Sequence, residues 1–576
     1  MKAKISFLVM AIAILSIVFY VDLLQEENTS EKSQNASFNF IKCTVAQYVL
    51  QNVDTTRQIA PLFDNLGNLH YPITIKDNRG HAFFDQGLKL AYAFNHAESH
   101  RSFMEASRLD PNSAMAYWGQ AWALGPNIND PLPDDERKIA AYKAIEKATA
   151  LASNSSKKEQ ALIEALQKRY SEDLTNEITV LNLDYMHAMA QVAQRFPKDV
   201  DIKVLYAEAI MNTVPWNYWD KNGNPSPFIK EAKVALEEAI KLNPEHPGAH
   251  HYYIHLMEVP MPDMAVDSAD KLVTLMPGAG HIVHMPSHIY IRVGRYMDAV
   301  KVNQAAILAD EDYISQCYSQ GLYPLGYYPH NIHFLWSASS MLGNSQIAIN
   351  AATKTAEKVP NGELVTLTFL QDFAATPYLA YTRFGKWNEI LTIPSPNMDI
   401  KHLRLIRNYS RGIAFIRKGN AIEAKEELDA IALLKEDPEM ANLVATAHNP
   451  SSHIAEIAYE VVAGELANLN GLPEEAILHL KKAVLAEDRL VYTEPAAWHI
   501  PTRQNLGAIL LKNGQLEEAE KIYKEDLAIL RQNGWSLIGL YHSLIGQGKM
   551  DEAKAVKEEF EAAWQHSDIK ITTSIL

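Results

Sequence analysis

The sequence predicts an all-α protein built as a solenoid of stacked helical hairpins. Three observations predict this fold class: glycines are followed five residues later by alanine, prolines follow the second helix of a pair, and this spacing recurs at 34 residues. Glycine supplies the left-handed conformation that ends the first helix, and proline stops the second. The pairs are Gly294 and Ala299, Gly343 and Ala348, Gly471 and Ala476, Gly514 and Ala519, and Gly548 and Ala553, and the prolines are Pro111, Pro244, Pro277 and Pro360.

The N-terminus predicts export. Lys2 and Lys4 precede an apolar run from Ile5 to Val21. We assign residues 1–24 to a signal peptide or an N-terminal membrane anchor, and the lack of a small-residue cleavage site favours the anchor. Because the basic flank stays in the cytoplasm, the rest of the chain is predicted to lie outside it, in the periplasm or at the cell surface.

Composition limits the partners that the chain is expected to bind and the kinds of chemistry that it can perform. The chain has 576 residues, of which 47% are hydrophobic, and a net charge of −16, so nucleic acid is not expected as a partner and a membrane only through the N-terminal segment. Two cysteines, Cys43 and Cys317, exclude a disulfide framework and leave a single bond between them open. The sequence lacks a glycine-rich phosphate loop, a Gly-x-Ser-x-Gly elbow and a His-Glu-x-x-His run.

The repeat resembles the tetratricopeptide repeat (TPR). Its small-residue and proline positions match, and the Trp-Leu-Gly position of that family is matched at Trp118-Gly119 and Leu506-Gly507. The chain also resembles a group of long, exported-looking bacterial TPR proteins of unclear activity, through the segments HAESHRSFMEASRLDP, HHYYIH, GHIVHMPSHIYIRVGRY and YYPHNIHFLW. The resemblance implies a right-handed superhelix whose first helices line a concave groove, and it implies no reaction.

The chain after the N-terminal segment divides into three regions. Residues 25–79 are a polar linker and lead-in, residues 80–453 a TPR-like solenoid with a histidine-rich concave groove, and residues 454–576 the more regular C-terminal hairpins. Aromatic loops inserted at residues 214–227 and 321–329 either cover one end of the groove or fill a gap in the packing.

Histidines recur at the same positions of successive repeats. If repeat units begin at His246, Gly280 and Pro329, six histidines fall only at positions 2, 5 and 9 of a unit, which lie on one face of a helix. Arg292 falls on the same stripe, at position 13. The six are His250, His281, His284, His288, His330 and His333.

This phasing predicts a metal site in the groove, because neutral imidazoles on neighbouring helices can converge on one ion. Histidines three or four residues apart also form two-point clips. The predicted ligands are His96, His100, His250, His251, His255, His281, His284, His288, His330 and His333. Imidazole ligands suit copper, zinc, iron or nickel, and export with nearby tyrosine and tryptophan favours copper over zinc or iron, with redox or oxygen chemistry.

Two interpretations of the groove remain open. In the first, the protein is a metal-dependent oxidoreductase that acts on a small molecule. In the second, it is a scaffold that binds a peptide or a partner protein, and the histidines are hydrogen-bonded groups of a polar groove. Glu98 and Glu258 are the nearest candidate carboxylates. We do not expect His448, His453 or His499 to be ligands, since they flank predicted helix starts.

Overall fold

The computed structural model describes residues 56–316, 323–397, 399–446 and 448–576, and over these residues the chain is an all-α solenoid of TPR-like hairpins. The predicted fold class is therefore confirmed. The predicted N-terminal segment, Cys43 and Cys317 lie outside the described residues. None of the described helices is long and apolar enough to cross a bilayer.

Most helices pack against the next helix along the chain. Those before residue 320 are α1 (Asn78–Tyr92), α2 (His96–Leu109), α3 (Ala114–Leu124), α4 (Asp135–Leu151), α5 (Lys157–Gln167), α6 (Ile178–Arg195), α7 (Val200–Met211), α8 (Ile229–Leu242), α9 (Pro247–Met257), α10 (Val266–Leu272), α11 (Gly280–His284), α12 (Pro286–Arg292) and α13 (Tyr296–Gln316). Those after it are α14 (Tyr328–Met341), α15 (Ser345–Glu357), α16 (Leu370–Arg383), α17 (Trp387–Thr392), α18 (Lys401–Arg417), α19 (Ala421–Lys435), α20 (Ser451–Leu469), α21 (Pro473–Glu487), α22 (Thr502–Lys512), α23 (Leu516–Ile529), α24 (Gly534–Gly546) and α25 (Met550–Ala563).

Short irregular elements connect some of the hairpins. They are 3₁₀ turns at Ala152–Asn154, Pro262–Ala265, Asn361–Glu363 and Pro438–Ala441, and a π-helical turn at Tyr323–Tyr327. The strands β1 (Val444–Thr446) and β2 (Asn449–Pro450) form a small antiparallel pair. Because the turn at Tyr323–Tyr327 directly precedes α14, part of the second aromatic insertion is continuous with a helix of the groove.

The repeated glycine and alanine have the roles that the sequence predicts. Gly294, with φ of 82°, and the other four turn glycines adopt left-handed φ, and each of the paired alanines is fully buried. A side chain at the glycine would be strained, and a larger residue at the alanine would push the second helix away from the first. Each hairpin is therefore closed by the same two positions.

The solenoid turns back on itself, so that helices far apart in sequence are in contact. The Trp535 indole donates to the backbone oxygen of Ser340 (3.0 Å), and the Arg531 guanidinium makes a two-point ion pair with Asp263 (2.7 and 2.9 Å). At the other end, the backbone nitrogen of Gly278 donates to the oxygen of Asn65 (2.8 Å). The C-terminal hairpins and the N-terminal lead-in thus both pack against the middle of the chain.

Two glycines in the C-terminal hairpins should be intolerant of side chains. A Cβ atom at Gly539 would lie 2.1 Å from Cζ of the buried Tyr523, and one at Gly507 would lie 2.5 Å from the same atom. We expect Gly539→Val to lower the free energy of unfolding by about 1–3 kcal/mol, since overpacking displaces the ring. Urea unfolding followed by circular dichroism measures this. The control is Gly362→Val, where the added Cβ meets no atom within 4 Å; equal midpoints for the two variants would contradict the prediction.

Candidate metal centre

Six buried or half-buried histidines form two sets of three. The first set, trio A, is His251, His255 and His281, and the second, trio B, is His284, His288 and His330. Within each trio, one ring nitrogen from each histidine lies within 4.8 Å of the other two. The trios are adjacent, with 5.9 Å between the ring centroids of His281 and His284 and 5.6 Å between those of His255 and His288.

Three consecutive first helices of hairpins carry these residues. Helix α9 supplies two histidines four residues apart, and α14 supplies His330 near its start. Helices α11 and α12 are separated only by Met285, which keeps right-handed helical dihedral angles before Pro286. His281, His284 and His288 therefore stay on one face, as a spacing of three and four residues predicts.

Several of the histidines are held from outside the cluster through Nδ1. Nδ1 of His251 lies 2.6 Å from the backbone oxygen of Tyr92, and Nδ1 of His284 lies 2.6 Å from Oδ1 of Asn303. The Asn303 amide donates to the oxygen of Ala299 (2.8 Å), which turns its Oδ1 towards the imidazole. Because both partners only accept, Nδ1 carries the proton in each ring and the lone pair is on Nε2, inside the cluster.

Two carboxylates, those of Glu258 and Glu494, contact His255 and His288. Oε2 of Glu494 lies 2.6 Å from Nδ1 of His288, and Oε2 of Glu258 lies 3.2 Å from that same nitrogen. Oε2 of Glu258 is also 3.5 Å from Nδ1 of His255. One carboxylate therefore faces an imidazole of trio A and an imidazole of trio B, and Tyr492 donates a hydrogen bond to Glu494.

Four ring nitrogens of trio A have no hydrogen-bond partner among the described residues. Nε2 of His251, Nε2 of His255 and both ring nitrogens of His281 have no hydrogen-bond partner among the described residues, although the three side chains are at most 3% exposed. Nε2 of His284 and Nε2 of His288 are 2.9 Å apart, so these two rings share a proton. Unpartnered ring nitrogens therefore face the interior of trio A, whereas His284 and His288 of trio B are partners of each other.

Burial sets the protonation of the cluster. It lowers the pKa of His251, His281, His284 and His330, and neighbouring imidazoles lower each pKa further. Burial also lowers the pKa of His255, against the opposing effect of Glu258. His288 differs, because Glu258 and Glu494 outweigh burial and raise its pKa to about 10. Five of the six rings are thus neutral at pH 7, as metal ligands must be.

A cavity of about 490 Å³ opens beside both trios. Its lining includes His255, His281, His288 and His330 together with Glu258 and Glu494. It also includes five aromatic side chains, Trp216 and Tyr327 from the two inserted loops and Phe369, Phe373 and Tyr492. Both predicted insertions therefore line one end of the groove, and the volume is in the range of small-molecule sites.

Four of the ten predicted ligands lie outside both trios. His250 is hydrogen-bonded at both nitrogens, to Ser268 Oγ (3.0 Å) and to the backbone oxygen of Pro244 (2.9 Å). His333 stacks on Trp336, with ring centroids 4.8 Å apart. His96 and His100 begin α2, and burial lowers the pKa of each to about 3. Of the ten, the structure thus brings six together.

The repeat register is wrong by one residue in its first unit. His250, at position 5, faces Ser268 on α10 instead of the trios, and His251, at position 6, faces His281 with 4.9 Å between ring centroids. The physical reason is the start of α9, where His246 caps the helix and contacts Asp201 (3.1 Å), which fixes the rotation of that helix. Side chains at the same position of two repeat units therefore point in different directions when the helices of those units start differently.

The expected carboxylates are found in different roles. Glu98 pairs with Arg101 (3.1 Å), whereas Glu258 contacts the histidines. The sequence did not single out Glu494, because it lies in the connector between α21 and α22, more than 200 residues from His288. Glu494 lies close to His499 in the segment EPAAWHIP, and the ring of His499 stacks on that of Trp336 with 3.8 Å between centroids. This segment is the local signal that the connector enters the groove.

A buried carboxylate also fixes two of the ligand helices. Asp310 on α13 accepts hydrogen bonds from Tyr323 Oη (2.7 Å) and from Nδ2 of Asn331 (2.7 Å), and the backbone nitrogen of His281 donates to Tyr323 Oη (3.3 Å). Burial raises the pKa of Asp310 to about 7. The start of α11 and the first turn of α14 are thus tied to one side chain.

Comparison with known proteins agrees with the hairpin fold and does not extend to function. No family profile and no curated protein matches the chain. Among solved structures, the human IFIT1 dimer with m7Gppp-AAAA is 12% identical over 85% of this chain and 96% of its own, with a TM-score of 0.33. Yeast Tom70 is 13% identical over 83% and 89%, with a TM-score of 0.28, and the TPR domain of P58(IPK) is 13% identical over 82% and 99%, with a TM-score of 0.20.

The fold and the site define a TPR-like solenoid protein with a histidine-rich groove. The molecules bound in those structures carry no argument for this chain. The expected lack of a nucleic-acid partner, the export of the chain and the identity of the metal stay predictions.

Asp310 should make stability depend on pH. Its pKa is about 7 in the folded chain and near 3.8 when unfolded, so between these values the folded state binds more protons and the free energy of unfolding falls as pH rises. Asp310→Asn removes this dependence, so its stability relative to the wild type should improve from pH 4 to pH 7. Urea midpoints at pH 4, 5.5 and 7 measure the trend, with the exposed Asp135→Asn as control. A difference that is constant with pH would contradict the prediction.

Proposed function

We propose that the protein is a metalloenzyme that holds a transition metal, with copper favoured over zinc or iron, in its imidazole cluster. The observation that carries the proposal is a group of buried nitrogens inside the cluster that have no hydrogen-bond partner among the described residues: Nε2 of His251, Nε2 of His255 and both ring nitrogens of His281. Nδ1 of His251 is held from outside by the backbone oxygen of Tyr92. Outer hydrogen bonds of this kind fix the tautomer and orientation of metal-binding histidines. A merely polar groove would satisfy both nitrogens, as His250 does.

The chemistry of the metal ligands favours copper and a redox reaction. Both trios consist of imidazoles alone, and the carboxylates stand behind His255 and His288. Imidazole ligands suit copper, zinc, iron and nickel, whereas hydrolytic zinc sites commonly add a carboxylate ligand or base. When bound, the metal would supply electron transfer or oxygen activation, while the chain orients the ligands and keeps bulk water from the trios.

The substrate is a small molecule. The cavity beside the trios has the volume of a small-molecule site and five aromatic side chains in its lining, so it fits a compact apolar or aromatic body that reaches the histidines with one edge. The connector that carries Tyr492 and Glu494 lines the same cavity, so a peptide bound there would share this space with it.

A scaffold that binds a peptide or a partner protein is the second candidate, favoured by the solenoid architecture itself. In that case Arg292 and the groove tyrosines would supply contacts. Arg292 is already engaged within the chain, over the ring of Tyr492 at 5.5 Å and with the backbone oxygen of Val259 at 3.4 Å. This internal use weakens the case for the scaffold.

Metal analysis separates the two functions. We expect full-length protein purified without a polyhistidine tag to contain copper by mass spectrometry and to consume O₂ when ascorbate is supplied. His284→Ala should contain less metal than the wild type and lose the O₂ consumption while its circular dichroism spectrum stays unchanged.

The matched control is His479→Ala, whose imidazole contacts Glu460 in the C-terminal hairpins, far from the trios in sequence. It should keep both the metal and the activity. Wild-type protein that stays metal-free after incubation with copper would contradict the proposal and favour the scaffold.

A further inference from the structure

The two trios share no histidine. Each offers three nitrogens within 4.8 Å of one another, and the helices that supply them differ: α9 and α11 for trio A, and α11, α12 and α14 for trio B. A single tetrahedral or trigonal ion takes three or four protein ligands at about 2.0–2.1 Å, so one ion accounts for only one trio. The buried imidazole nitrogens of the second trio would then have no metal to bind.

We propose that the centre binds two metal ions, one in each trio, with Glu258 as the residue that orients a ligand of both. This rests on the proposed function only in requiring that the imidazoles bind metal. Trio A would use His251, His255 and His281, and trio B would use His284, His288 and His330. Both ions would border the same cavity, since that cavity is lined by two histidines of each trio.

Glu258 has the position that such a pair of sites needs. It is the residue that follows α9, it is 1% exposed, and its Oε2 faces Nδ1 of His255 at 3.5 Å and Nδ1 of His288 at 3.2 Å. A carboxylate behind an imidazole raises the basicity of that ligand and fixes its tautomer. Glu494 differs, because it contacts His288 alone (2.6 Å) and so serves trio B only.

Buried charge also favours two cations. Glu258 and Glu494 face the cluster together, with an oxygen of each within 3.2 Å of Nδ1 of His288. Buried carboxylates are stable when cations stand close by. An ion in each trio would place a positive charge on the inner side of both His255 and His288, opposite the carboxylate on the outer side.

Stoichiometry tests the proposal. Full-length protein is loaded with Cu(I) under nitrogen, desalted, and analysed for copper per chain by mass spectrometry. We expect two ions in the wild type. We expect one ion each in His281→Gln and His330→Gln, and none in the double variant. His281 suits the test because its ring nitrogens make no hydrogen bond within the described residues, so its replacement breaks none. His479→Gln is the control and should keep two.

The outcomes are distinct. One ion in the wild type overturns the two-ion centre and leaves the metal-binding function standing, whereas no ion overturns both. A single variant that keeps two ions, or that loses both, shows that the trios are not separate sites and also overturns the proposal.

The carboxylates give a second readout that does not depend on the loss of a ligand. Competition with a Cu(I) chelator should show Glu258→Gln weakening both ions by about 10–100-fold and Glu494→Gln weakening only one, because removal of an outer partner typically costs that much in metal affinity. Equal effects of the two variants on both ions would overturn the role assigned to Glu258.

Discussion

The structure depends on how closely the two helices of each hairpin can approach. A left-handed glycine ends the first helix, and a fully buried alanine on the second lets it lie against the first without a gap. Since the same contact recurs, the rotation from hairpin to hairpin accumulates, and helices that are hundreds of residues apart come into contact. Trp535 reaches Ser340 and the connector after α21 reaches α12 for this reason.

The imidazole cluster reduces the stability that the packing of the helices provides. A buried polar atom without a partner costs about 1–3 kcal/mol, and His281 alone carries two such atoms. The chain keeps the rings neutral through burial, which limits the electrostatic part of that cost, and it uses carbonyl, amide and carboxylate acceptors to hold the outer nitrogens. The buried imidazoles lower the stability of the fold, yet their rings are held in fixed orientations. This combination indicates that the cluster binds a ligand.

The repeating part of the fold could be predicted from sequence, because the glycine and alanine positions act within one hairpin. The phase of the histidines was also visible, and six of the ten predicted ligands come together. What failed was the rotation of α9, which depends on His246 and its contact with Asp201 on another hairpin. Glu494 was missed for the related reason that its neighbour His288 is brought close only by the return of the superhelix. Contacts between distant repeats leave no mark in a local pattern.

The origin of Glu494 has a consequence for biosynthesis. His288 and Glu258 are made early, and the connector that carries Glu494 becomes available only when most of the chain has left the ribosome and the C-terminal hairpins can dock on α12–α15. Until then the imidazoles of trio B lack one of their carboxylates, and the groove is open on that side. The finished trio B is therefore a property of the completed chain, and an ion bound there would be acquired as a late step of maturation.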